Sequence, residues 1–108
     1  MLFRSASRND KKNDPGERNA RANTYNNLGM AYGIKGLTDA AIDQFSMAIR
    51  LNPGFAKAYY NLGNGLMHKG MYAEALQCFE TAVRLEPANP ALLDKLTMTR
   101  ELINQMNR

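Results

Sequence analysis

Residues 22–29 read Ala-Asn-Thr-Tyr-Asn-Asn-Leu-Gly, and residues 56–63 read Ala-Lys-Ala-Tyr-Tyr-Asn-Leu-Gly. Laying 22–55 over 56–89 without a gap extends the likeness to Lys35/Lys69, Gly36/Gly70, Ala41/Ala75, Phe45/Phe79, Ala48/Ala82, Arg50/Arg84, Leu51/Leu85 and Pro53/Pro87. In all, 13 of 34 aligned positions are identical, where composition alone gives about two or three. A fixed period of this length marks a supersecondary unit repeated in tandem, which buries its apolar face by stacking on its neighbour.

Tyr25, Leu28, Gly29 and Tyr32 share one face at helical spacing, as do Ala41, Phe45 and Ala48. Gly36 and Gly70 fall where a first helix must turn back, and Pro53 and Pro87 fall where a second helix cannot continue. The pattern predicts helix–turn–helix twice. Gly29 and Gly63 sit inside the first helices, where glycine costs about 1 kcal/mol relative to alanine. Close packing explains them: the bare backbone and the methyls of Ala41 and Ala75 let antiparallel helices approach while Phe45 and Phe79 fill the adjacent space.

Upstream, Asp14-Pro15-Gly16-Glu17 supplies an N-cap acceptor, a proline at the first helical position and a glutamate at the third. Residues 1–13 are rich in Arg, Lys, Asn, Ser and Asp, the composition of a disordered, solvated tail. Downstream, Asn89-Pro90 forms another cap and first-turn pair, and Leu92, Leu93, Leu96, Ile103 and Met106 make an apolar stripe through 90–106. The expected fold is all-α: a domain over 14–108 containing units at 22–55 and 56–89, with a covering helix at 90–106.

A chain of 108 residues with 44% hydrophobic content holds one modest core, which disfavours chemistry that needs a deep cavity. The net charge is +4, with five basic against three acidic residues in 1–20 and nine against seven in 21–108. That +2 in each part falls short of the dense basic stripe of a dedicated nucleic-acid binder. Cys78 is the one cysteine and His68 the one histidine, too few for a disulfide or a Cys/His zinc site. Neither has the neighbouring base, acid or third ligand that catalysis or metal binding requires. No stretch of about 18 apolar residues or signal-type segment occurs. The reading is a cytoplasmic chain with no catalytic residues, no metal and no cofactor.

The residues Tyr25/Tyr59, Leu28-Gly29/Leu62-Gly63, Tyr32, Ala41/Ala75, Phe45/Phe79 and Pro53/Pro87 resemble the tetratricopeptide repeat pattern over about 85 residues. Tyrosine replaces the usual tryptophan at Tyr25 and Tyr59, Leu66 replaces the tyrosine matched by Tyr32, and Thr97 replaces the glycine in the last helix. The last departure fits a terminal covering helix rather than the start of a complete third repeat; a truncated array would carry the same pattern. The resemblance implies a right-handed superhelical stack whose first helices line a concave groove for a peptide or helix of another protein. Solenoid stacking independently predicts such a surface.

Residues offset from the structural face of the first helices are the groove candidates: Asn23, Asn26, Asn27, Met30 and Ile34, then Lys57, Tyr60, Asn61, Asn64, Met67 and His68. The last helix adds Ala91, Asp94, Lys95, Met98, Glu101 and Leu102. Asn27 and Asn61 occupy one register, and a primary amide offers a donor and an acceptor to an extended peptide's main chain. Family members that bind extended peptides often carry asparagine there; the alternative is a pair of solvated surface asparagines. Met30, Met67 and Met98 would give adaptable apolar contacts or complete inter-helix packing. Lys57, Lys95 and His68 would attract an acidic peptide, but the full basic set of the family's carboxylate clamp is missing.

The expected function is therefore a protein–protein interaction module. Alternatives are recruitment within a larger repeat-containing enzyme or assembly, weak RNA or DNA binding through the basic tail, and self-association through exposed apolar ends.

Overall fold

The computed structural model describes residues 14–108, all of whose regular structure is helical. Five helices follow in order: α1 (Pro15–Ile34), α2 (Thr38–Leu51), α3 (Ala56–His68), α4 (Tyr72–Leu85) and α5 (Pro90–Met106). Successive helices pack on one another as α1/α2, α2/α3, α3/α4 and α4/α5, with a further contact between α1 and α3. This is an all-α solenoid. The tail expected over residues 1–13 lies outside the described residues.

The two tight turns are identical in construction. Gly36 and Gly70 adopt φ of 81° and 80°, the left-handed region where a Cβ is penalised. In the first turn the Leu37 amide donates to the Tyr32 carbonyl and the Gly36 amide to the Gly33 carbonyl. In the second, Met71 donates to Leu66 and Gly70 to Met67. This paired pattern satisfies the last carbonyls of α1 and α3 and reverses the chain within three residues. Arg50 and Arg84 lie in the last turns of α2 and α4, where a cation complements the helix dipole.

Capping divides as the side chains allow. The Asn89 Oδ1 accepts from the Ala91 amide and starts α5. Asp14 precedes Pro15 as expected, but its carboxylate makes no capping hydrogen bond; the proline at the first position carries the helix start there.

The core forms two clusters. Leu66, Ala75, Phe79 and Leu96 bring together α3, α4 and α5, with Ile42 of α2 against them. Ala22, Ala48 and Ala58 bring together α1, α2 and α3, flanked by Tyr25, Ile49 and Phe55. The internal glycines have the expected cause: a Cβ on Gly29 would lie 2.6 Å from Phe45 Cε1, and one on Gly63 2.5 Å from Phe79 Cε1.

The covering helix departs from the stripe read along it. Leu92 and Leu96 are buried, but Leu93 and Met106 are exposed, and Thr99 is buried instead, its hydroxyl donating to the Lys95 carbonyl. Leu28 in α1 is likewise exposed, whereas its repeat equivalent Leu62 packs on the core. Both differences fall on the outer helices of the described stack, where one flank lacks a neighbour. Thr97 is exposed on α5 for the same reason.

Candidate functional site

Helices α1 and α3 stand side by side, and α5 continues the row. Between them opens a hollow of about 460 Å³ lined by Asn26, Asn27, Met30, Lys57, Tyr60, Asn61, Glu86, Asn89, Ala91 and Leu92. Asn27 and Asn61 therefore face a common space. Lys57 and Glu86 contribute one charge of each sign, so the hollow carries no net charge, and most of its lining surface is apolar. Tyr60 leans on Phe79 with ring centroids 6.0 Å apart at 54°, a tilted pairing that orients the phenol ring.

Asn26, grouped with the surface positions on helical offset alone, is only 3% exposed. Its Oδ1 accepts from Asn61 Nδ2 at 2.9 Å, and its Nδ2 donates to Met30 Sδ at 3.8 Å. Burying a carboxamide is tolerated because its polar atoms are satisfied. The contact also fixes the Asn61 side chain, which retains its carbonyl oxygen and a second N–H for another partner.

A second hollow, of about 360 Å³, lies at the other end of the α1/α3 gap and shares Met30 and Asn61 with the first. Asn64, His68 and Ile34 line it, together with Gly33, Gly65 and Phe45. Met67, Lys95 and Met98 belong instead to a separate hollow of about 290 Å³ between α3 and α5, with Thr99, Glu101 and Leu102. Asn23 is exposed on α1 and lines none of the three. The sequence-derived candidates thus divide: Asn27, Met30, Lys57, Tyr60, Asn61, Asn64 and His68 share the joined α1/α3 hollows, while the Met67, Lys95 and Met98 set stands apart.

Glu86 and Asn89 escaped the sequence reading because they sit in the α4–α5 connection, outside the helical faces from which the candidates were drawn. Gly33 and Gly65 escaped it because glycine carries no chemistry of its own; comparison with Met67 and Thr99, their repeat equivalents, is the clue that exposes them.

Cys78 is partly buried against the Phe79 cluster. Burial, and secondarily the Glu74 carboxylate, push its thiol up to about 11, which keeps it protonated and unreactive at neutral pH. Among the described residues no group of three His, Cys, Asp or Glu is placed to hold a metal ion, and no helix is long and apolar enough to cross a membrane.

The tetratricopeptide repeat model matches residues 22–55 and 56–89. The crystal structure of MamA superposes with a TM-score of 0.74 at 29% identity, over 77% of this chain and 48% of that one. A second crystal structure, of MamA protein, gives a TM-score of 0.72 at 28% identity, over 79% of this chain and 46% of that one. The chain spans about half the length of these structures. No curated protein matches it. Repeats of this kind are in general protein–protein interaction modules on a scaffold that is typically not an enzyme. On both the matched repeats and the shared architecture, the chain belongs to the tetratricopeptide repeat family.

Proposed function

We propose that the chain binds an extended peptide segment of another protein in the joined α1/α3 hollows, without catalysis. The observation that carries this reading is the convergence of Asn27 and Asn61 on one 460 Å³ space beside Met30 and Tyr60; Asn89 in the same lining is engaged with the Ala91 amide and the Glu86 carboxylate. Carboxamides offer donors and acceptors at once, which suits peptide main chain. The methionine and tyrosine supply apolar and aromatic surface for side chains. Asn61, held by Asn26, pays less ordering entropy on binding than a free surface amide.

The near balance of Lys57 and Glu86 counts against a phosphate backbone as the guest, since nucleic-acid binding draws on an accumulation of cations. Met67, Lys95 and Met98 extend the surface toward the end of the row, where a longer guest would run over α5.

The test selects peptides from a displayed random library and measures their affinity by calorimetry. Asn27→Ala combined with Asn61→Ala should weaken binding about tenfold or more, the cost of two lost hydrogen bonds. Because Asn61→Ala also leaves the buried Asn26 Oδ1 unpaired and lowers the melt, Asn27→Ala alone, at an exposed position, should weaken binding with little change in the circular-dichroism melt. Undiminished affinity in the double variant would remove the reading.

A further inference from the structure

The repeat itself provides a control for the 360 Å³ hollow. Gly33 and Gly65 line it; one period later the same registers carry Met67 and Thr99. In the second position Met67 packs against the core and Thr99 is 1% exposed, so side chains occupy what glycine leaves empty in the first. The hollow beyond them is smaller and includes the charged Lys95 and Glu101. The first cleft has no Asp, Glu, Lys or Arg in its lining.

The two glycines differ in what the fold asks of them. A Cβ on Gly65 would meet Ile42 Cγ1 at 2.9 Å, so packing of α3 on α2 accounts for that residue. A Cβ on Gly33 would meet nothing within 4 Å, and no positive φ requires glycine there. Packing and backbone thus leave Gly33 unexplained, while its effect is to keep the cleft open. At the rim, Ile34 is 87% exposed, and Phe45 and Ala41 form an apolar lining from α2.

We infer that this cleft is a specificity pocket that receives one uncharged apolar side chain, of leucine or phenylalanine size, from the bound segment of a partner protein. The inference rests on the peptide-binding reading above and names what that peptide must carry. The largely apolar lining, with His68 as its one ionisable side chain, favours an aliphatic or aromatic side chain over an ionised one, which would lose more hydration than the few polar groups there restore. The carboxamides of Asn61 and Asn64 lie in the same lining, where the main chain on either side of the anchor finds hydrogen-bond partners. Because Asn61 also lines the larger hollow, anchor and main chain are read in adjoining spaces.

The experiment is an NMR amide titration of the full chain with N-acetyl-leucinamide, N-acetyl-phenylalaninamide and, as the charged comparison, N-acetyl-aspartic acid α-amide with its free side-chain carboxylate. The first two are expected to shift the Asn64 and Gly65 amides and the third to leave them in place. Gly33→Met, which installs the second repeat's residue, should weaken the shifts about tenfold, the scale set by lost apolar burial, and Gly33→Ala should give an intermediate loss. Both variants should melt no lower than the parent chain. Equal shifts from the aspartyl compound, unchanged shifts in Gly33→Met, or no shift in the parent chain would each overturn the pocket. So would a dimer in sedimentation that Gly33→Met abolishes, since the occupant would then be a second copy. If library-selected peptides lose affinity with the double asparagine variant but not with Gly33→Met, the groove stands and the pocket falls. If leucinamide shifts persist as expected while the asparagine variant keeps full peptide affinity, the pocket stands and the main-chain reading falls.

Discussion

Gly63 and Phe79 are so close that a methyl on the glycine would sit 2.5 Å from the ring, and Phe79 has no accessible surface into which to retreat. Two opposed effects act on Gly63→Ala. Helix propensity favours alanine by about 1 kcal/mol, while overpacking a filled core costs about 1–3 kcal/mol and often more when the neighbour cannot move. The clash should win, lowering the melting temperature by about 4–8 °C for each net kcal/mol lost. Gly29→Ala should behave similarly against Phe45. Denaturation of each variant checks this, and a melt at or above the parent value would contradict the packing.

The same substitution at two other glycines should give opposite signs. Gly70 holds φ at 80°, so Gly70→Ala strains the turn and should cost about 1–2 kcal/mol. Gly33 meets open space in an ordinary helical conformation, so Gly33→Ala should gain up to about 1 kcal/mol. Urea unfolding of the pair, compared with the parent chain, separates backbone conformation from packing as the cause.

Cys78 gives a prediction in pH. Its thiol is raised from 9.0 to about 11, so below pH 9 its thiolate fraction is about a hundredfold lower than that of a free cysteine. Labelling with a thiolate-directed reagent should be slower by about that factor, and should keep rising with pH up to about 11. The folded chain holds this proton more tightly than the unfolded one, so the stability it supplies is full below pH 9.0 and declines toward about 11. Cys78→Ala should remove that part of the alkaline decline. Labelling at the rate of a free thiol would count against the burial.

The architecture was legible because repetition and helix chemistry agree. Gly36, Pro53 and the Phe45/Gly29 pairing each describe a local constraint that any copy of the unit must meet, and each appears twice. What periodicity along one helix does not encode is which neighbour stands over each face. Leu28 and Leu62 occupy the same register, yet one is exposed and the other packs on the core. Helical offset places Asn26 on the groove surface, but contact between α1 and α3 buries it and turns it into a support for Asn61. The α4–α5 connection brings Glu86 and Asn89 to the hollow through chain reversal, which helical spacing does not describe.

Thr97 has a consequence for engineering. It occupies the register of Gly29 and Gly63, the spot where a phenylalanine ring from the succeeding helix comes within van der Waals overlap of any added carbon. A designer who grafts a copy of α4 onto α5 would find its aromatic ring obstructed by a branched side chain. Thr97→Gly, together with a glycine turn at the register of Gly36 and Gly70, which Asn104 occupies inside α5, should let the array accept another copy, and its solubility would then depend on what shields the newly matched surface of Leu93.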